Sequence, residues 1–201
     1  MNILILGGTQ FLGKHLLEEC LLRNHKVTTF NRGMTDIYIY DNSVEKLYGN
    51  RELNDYSQLS NRKWDVVIDV PSFKPDIVKG AFDFLYNHTN MYVFISTMSV
   101  YDIDKSYDKL YNEYCKDKAE AEKIFLNKNK SLILRPGILC GDGDNTQRFD
   151  YKSDGIFWKN TYNQVSSYVM VDDYADFVLN LIEENRRGTY EEIKMWWFFK
   201  I

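Results

Sequence analysis

Cysteine and histidine are scarce in this sequence, three of each in 201 residues, and neither is grouped. Cys20, Cys115 and Cys140 lie far apart, with an odd count and no CxxC pair. That excludes a disulfide framework and fits the reduced thiols of a cytosolic protein. His15, His25 and His88 lack the close spacing of zinc ligands, so they read as ordinary surface or half-buried residues, and no metal is expected. A basic excess is missing too: 25 Lys plus Arg face 29 Asp plus Glu, a net charge of −4. Such a balance argues against nucleic acid or an anionic membrane as partner. Long apolar runs are equally absent from the start of the chain. Ile3-Leu4-Ile5-Leu6 breaks into Gly7-Gly8 with no basic segment before it, too short for a signal peptide or for the ~20 residues of a membrane span. A cytoplasmic protein is the expectation.

What is present is a globular composition, 44% apolar and 15% aromatic, in a length that suits one well-buried core. Short apolar runs alternate with stretches of helical period, which predicts β-α-β units and a doubly wound, Rossmann-type parallel sheet of the α/β class. Strands are expected at 3–6, 26–30, 44–48, 64–70, 91–96 and 131–134, giving five or six parallel strands, with a further strand at 167–171. Helices are expected at 12–23, 76–86 and 110–126, with a short one at 55–59. A last helix ends near Glu184 and is capped by Asp172 or Asp173. The stretch 141–167 is polar and reads as irregular. Residues 1–140 are assigned to the dinucleotide-binding unit, and 141–201 to a reduced substrate region packed on it.

Two constellations carry chemistry. Gly7-Gly8-Thr9-Gln10-Phe11-Leu12-Gly13 joins the first strand to the first helix, where glycines let the backbone approach a pyrophosphate and helix N–H groups face it. At the end of the second strand stands Asn31-Arg32-Gly33 instead of the carboxylate that selects NAD. A guanidinium pairs with the 2′-phosphate of NADP, so NADP is expected over NAD. The second constellation is Thr97, after the fifth strand, with Tyr114 and Lys118 on the following helix. Residues i and i+4 share a helix face, and an ammonium near a phenol lowers its pKa from about 10. Tyr114 can then exchange a proton with a substrate oxygen that Thr97 also binds. Cys115 beside it has no base nearby in sequence to make it a nucleophile.

The order of these pieces resembles an extended short-chain dehydrogenase/reductase, the NAD-dependent epimerase/dehydratase group. The matching segments are GGTQFLG (7–13), FNRG (30–33), WDVVIDV (64–70), FISTMSVY (94–101), YCKDKAEAE (114–122), LRPGILCGDGD (134–144) and YVMVDDYADFVL (168–179). The pair GGTxFLG and FNRG is most similar to a divergent branch that includes chloroplast stem-loop RNA-binding proteins. In this chain Gln10 replaces the middle glycine of the group's pattern, and the C-terminal substrate region is expected to be a shortened one. The resemblance implies Thr97, Tyr114 and Lys118 as catalytic residues. It implies Gly7, Gly8, Thr9, Gln10, Phe11, Leu12, Gly13, Asn31 and Arg32 around the adenosine end of the cofactor. Val70, Pro71 and Ser72 would line its path, and Lys118, Pro136, Gly137 and Ile138 would meet the nicotinamide end.

The resulting expectation is an NAD(P)-dependent oxidoreductase, epimerase or dehydratase-like protein acting on a small carbonyl or sugar-nucleotide substrate, in a group where homodimers are common. A non-catalytic dinucleotide-binding sensor or regulator is the alternative; RNA binding is a third reading, opposed by the charge. The terminal Met195-Trp196-Trp197-Phe198-Phe199 run is expected to pack on the domain or on a second subunit.

Overall fold

The structure, a computed structural model, describes residues 1–35, 43–70, 74–105, 108–146, 149–152, 155–158 and 168–191. The aromatic run 195–199, and Pro71 and Ser72, lie outside the described residues. The chain opens with β1 (Asn2–Leu6), α1 (Phe11–Leu22), β2 (Lys26–Asn31), β3 (Val44–Tyr48), β4 (Trp64–Asp69) and α2 (Pro75–Leu85). It continues through β5 (Thr89–Ile95), α3 (Lys109–Glu122), β6 (Ser131–Arg135), β7 (Ile138–Cys140), β8 (Phe149–Lys152) and β9 (Gly155–Trp158), and closes the described part with β10 (Tyr168–Met170), α4 (Val171–Glu183) and β11 (Gly188–Glu191).

The main sheet has seven strands in the order β11-β6-β5-β4-β1-β2-β3, every neighbouring pair parallel. The chain therefore starts in the middle of the sheet, builds one half outward through β2 and β3, and crosses back to build the other from β4. Two faces need covering, and alternation along β1 shows how they are covered: Ile3 and Ile5 point to one core, Leu4 and Leu6 to the other. On the first face Leu16, Leu17 and Cys20 of α1 pack with Val178, Leu179 and Ile182 of α4. On the second, Val78, Ala81 and Phe82 of α2 meet Ala121 of α3 and Phe125 beyond it. The Phe94 and Phe125 rings stack there at 4.6 Å. Full burial of a Val, Leu, Ile or Phe side chain here contributes roughly 1.5–3 kcal/mol.

Four local readings are corrected. The main sheet has seven strands rather than five or six, because β11 returns beside β6, Gly188 opposite Leu132 and Glu191 opposite Arg135. Its residues Gly-Thr-Tyr-Glu are mostly exposed, so no apolar run marks it. The third helix stops at Glu122, not 126; Ile124 and Phe125 continue its apolar pattern but their amides bond three residues back, to Ala121 (3.2 Å) and Glu122 (2.9 Å). Asp172 and Asp173 do not cap α4: Met170, the end of β10, holds that position, and both carboxylates stand in the first turn, where the dipole favours them. The stretch expected to be irregular contains an antiparallel hairpin, β8 with β9, and β10 pairs in parallel with β7. No helix among the described residues is long and apolar enough to cross a membrane.

Candidate functional site

At the carboxyl end of β1 the chain turns through Gly7 (φ 100°) and Gly8 (φ 91°), the left-handed region that favours glycine. The Gly7 amide donates to the Phe30 carbonyl at 2.9 Å, tying the turn to β2. A Cβ on Gly13 would stand 2.7 Å from the Gly8 nitrogen and 2.9 Å from its Cα, so α1 crosses the turn at backbone contact. Gln10 occupies the N-cap position without a capping hydrogen bond, its side chain donating to Thr35 Oγ1 at 3.3 Å instead. The first turn of α1 carries no carboxylate. The helix start thus presents backbone N–H groups and the positive end of its dipole without a resident anion.

This turn forms one wall of a cavity of about 410 Å³. Asn31 at the end of β2 with Arg32 beyond it, Asn50 and Arg51 after β3, and Val70 after β4 supply others. The cavity lies at the carboxyl ends of the strands where the order reverses, β1 having β2 on one side and β4 on the other, the place where open parallel sheets bind ligands. At its rim Asn31 Oδ1 accepts from the Gly33 amide at 2.7 Å, and Gly33 (φ 73°) lies against the Tyr48 ring. Arg32 is exposed and pairs with no carboxylate among the described residues.

Beneath the cavity lies a buried ion pair that the sequence reading missed. Asp69, the last residue of β4, is wholly buried, and Arg51 grips it with two bonds, Nη1 to Oδ1 at 2.8 Å and Nη2 to Oδ2 at 2.7 Å. Tyr92 donates its hydroxyl to the same carboxylate at 3.1 Å. Burial, reinforced by Asp69, raises the Tyr92 phenol well above its ordinary range. The available signal was a carboxylate inside the apolar strand WDVVIDV, since an Asp is almost never fully buried unless paired.

Two of the candidate catalytic residues, Thr97 and Lys118, stand at the end of β5. Thr97 accepts from the Ser99 amide and donates to Ser99 Oγ, both at 3.2 Å, capping the tight turn 98–101. Lys118, buried on α3, donates from Nζ to the Ile95 carbonyl at 2.7 Å and lies 4.9 Å from the centre of the Phe94 ring. Burial draws its ammonium down to about 8; Asp69 and Glu122 resist that fall and Arg51 adds to it. Tyr114 is half-buried one turn earlier on the same helix. Pro136 passes alongside, its carbonyl accepting from Met98 N–H at 2.9 Å, and leads through Gly137 to Ile138, the first residue of β7.

Two further features of this region were not foreseen. Tyr111 donates to Asp102 Oδ2 at 3.0 Å, and burial, with that bond, pushes its phenol up to about 12. Glu122 accepts from Ser96 Oγ and from two nitrogens of Arg135 (3.0 and 2.7 Å), locking α3 to β6. His15 is also buried rather than superficial, because α1 packs against α4. No group of three or more His, Cys, Asp or Glu among the described residues is placed to hold a metal ion.

The fold is that of the extended short-chain dehydrogenase/reductases. A short-chain dehydrogenase/reductase of Veillonella parvula solved in complex with NADP superposes with a TM-score of 0.70 at 15% identity, covering 94% of this chain and 92% of that one. Vestitone reductase from alfalfa gives 0.71 at 17% identity over 94% of this chain and 75% of its own. An enzyme of Bordetella bronchiseptica in complex with NAD+ gives 0.64 at 14% identity over 96% and 75%. In sequence, the chain is 29% identical over 114 residues to a chloroplast stem-loop binding protein of 41 kDa from Arabidopsis thaliana, a match to 50% of this chain and only 30% of that protein. No family model matches the chain.

Proposed function

We propose that the protein binds a nicotinamide dinucleotide, NADP in preference to NAD, and acts on a small carbonyl or sugar-nucleotide substrate as an oxidoreductase, epimerase or dehydratase-like enzyme. The observation that carries this is the glycine turn: Gly13 packed on Gly8 beneath an uncapped helix start, opening on the cavity at the strand-order reversal. Gly13 lets α1 reach the turn at backbone contact, and the free N–H groups of the uncapped helix start suit a pyrophosphate. Gly7 to Gly13 would hold it, Asn31 and Arg32 the adenosine end, and Val70 with Pro136 to Ile138 would flank the path to Lys118. The bound dinucleotide supplies hydride transfer, and the chain supplies orientation and proton management.

For the proton, Thr97 offers a hydroxyl to a substrate oxygen, and Tyr114 is the acid or base one helical turn from Lys118. An ammonium drawn down to about 8 by burial keeps its charge at neutral pH yet titrates close to it, which suits a group that favours the ionised phenol. Tyr114→Phe is expected to lower turnover by roughly 10²- to 10⁴-fold while leaving dinucleotide affinity unchanged, measured by steady-state rates beside direct titration.

The test of the reading is a titration with NADPH and NADH, followed by tryptophan quenching and nucleotide emission. NADPH is expected to bind more tightly. Arg32→Ala should weaken NADPH roughly 10- to 100-fold, the worth of a charge-assisted hydrogen bond, and leave NADH unaffected. Binding of neither nucleotide would overturn the proposal, and equal affinities untouched by Arg32→Ala would overturn the preference for NADP.

A further inference from the structure

We infer that His15 is a positioning residue which, as a doubly protonated imidazolium, clamps the 141–144 loop and the start of α4 onto the helix that carries the glycine turn. His15 lies two residues beyond Gly13 and is only 5% exposed. Both ring nitrogens are engaged: Nδ1 with the Asp172 carboxylate, and Nε2 with the backbone carbonyl of Asp142 at 2.9 Å. A carbonyl oxygen and a carboxylate both accept, whereas a neutral imidazole has one N–H and one lone pair. Two acceptors on one ring therefore require two N–H groups, and the geometry selects the cation.

The surrounding charges agree. Glu18 Oε2 stands 3.8 Å from Nδ1 on the same helix, and Asp173 accompanies Asp172 in the first turn of α4. Lys14 is the opposing cation, and it is itself paired, with Glu18 at 3.8 Å and the Asp142 side chain at 3.3 Å.

What the ring holds explains why it matters to the turn. Gly141 (φ 142°) is pressed against α4, where a Cβ would meet Val171 Cγ1 at 2.7 Å. Gly143 (φ 76°) lies over the first residue of α1, a Cβ there standing 3.9 Å from Phe11 Cα. Phe11 itself has a positive φ of 36°, an uncommon conformation for a bulky residue at a helix start. The loop is thus wedged between the beginnings of two helices, and His15 is the polar bridge that joins all three. Loss of one ring proton turns a lone pair toward an acceptor, exchanges an attraction for a repulsion, and loosens the loop from the helix start. Holding of the turn, and with it nucleotide binding, should weaken when this bridge is broken. The nucleotide part of this inference rests on the function proposed above; the clamp does not.

The experiment separates the two. In protein labelled with ¹⁵N-histidine, NMR at pH 7 is expected to show both ring nitrogens of His15 protonated, with His25 and His88 as internal comparisons. Asp172→Asn removes an exposed charge and keeps the ring, so it tests the clamp without emptying a buried site. It should speed amide exchange in 141–144 and 11–13. His15→Gln should speed the same amides and weaken NADPH roughly tenfold. A bare ring nitrogen at pH 7, or amide exchange unchanged in both variants, would overturn the clamp. Protonated nitrogens and faster exchange without any NADPH binding would uphold it and count against the dinucleotide reading alone.

Discussion

Asp69→Ala is expected to cost about 3–5 kcal/mol of stability, the range for removing one partner of a buried ion pair. The carboxylate is wholly buried at the end of β4 and accepts three hydrogen bonds, two from Arg51 and one from Tyr92. Its loss leaves a guanidinium, 11% exposed, without its counter-charge, and a buried phenol without an acceptor. The phenol cannot reach water without moving a strand, and the guanidinium keeps only a narrow exposure at the cavity wall, so desolvation is no longer fully offset. Urea unfolding at pH 7 measures the effect as a lower midpoint at unchanged slope. A loss below about 1 kcal/mol, the range of exposed pairs, would show that the pair is effectively solvated. Asp69 also helps to hold the Lys118 ammonium up against burial. The same substitution should therefore let Lys118 lose its proton at lower pH, so one change beneath the cavity affects both the fold and the candidate catalytic centre.

Gly13→Ala is expected to weaken dinucleotide binding roughly 10- to 100-fold and to cost about 1–3 kcal/mol of stability, the usual penalty of overpacking. The added Cβ would come within 2.7 and 2.9 Å of backbone atoms of Gly8. Carbon contacts need about 3.5 Å, and neither partner is a side chain that can rotate aside. Helix and turn must separate by several tenths of an ångström, which moves the N–H groups meant to meet a phosphate. Gly8 has little room to retreat, because a Cβ there would already stand 3.1 Å from Thr29 Cγ2 of β2 and 3.4 Å from Ile5 Cγ2 of β1. Titration with NADPH beside urea unfolding checks both numbers. Leu22→Ala, at the exposed far end of the same helix, should change neither. Wild-type affinity in Gly13→Ala would mean that the turn does not hold the nucleotide.

The local pattern of the sequence was enough for most of the sheet. Val44–Tyr48 was legible as a strand even between poorly patterned segments, and Trp64 to Asp69 announced itself by its apolar, β-favouring centre Val66-Val67-Ile68. The glycine turn was legible because positive φ and close approach both demand glycine, and glycine is visible in a sequence. Helix ends were less so. Asp172 and Asp173 look like caps, yet where a strand runs straight into a helix the backbone itself determines the first residue.

By itself, then, the sequence determined the α/β class, the alternation of strands and helices, and the turn at the head of α1, since each depends on residues within a few positions of one another. Tertiary structure alone decided that β11 completes the sheet, that Arg51 closes on Asp69, and that His15 meets Asp172, 157 residues away, and Asp142, 127 residues away. Those contacts come from distant segments brought together by burial, and a buried charge or a two-sided imidazole acquires its partner only when the chain between them has closed.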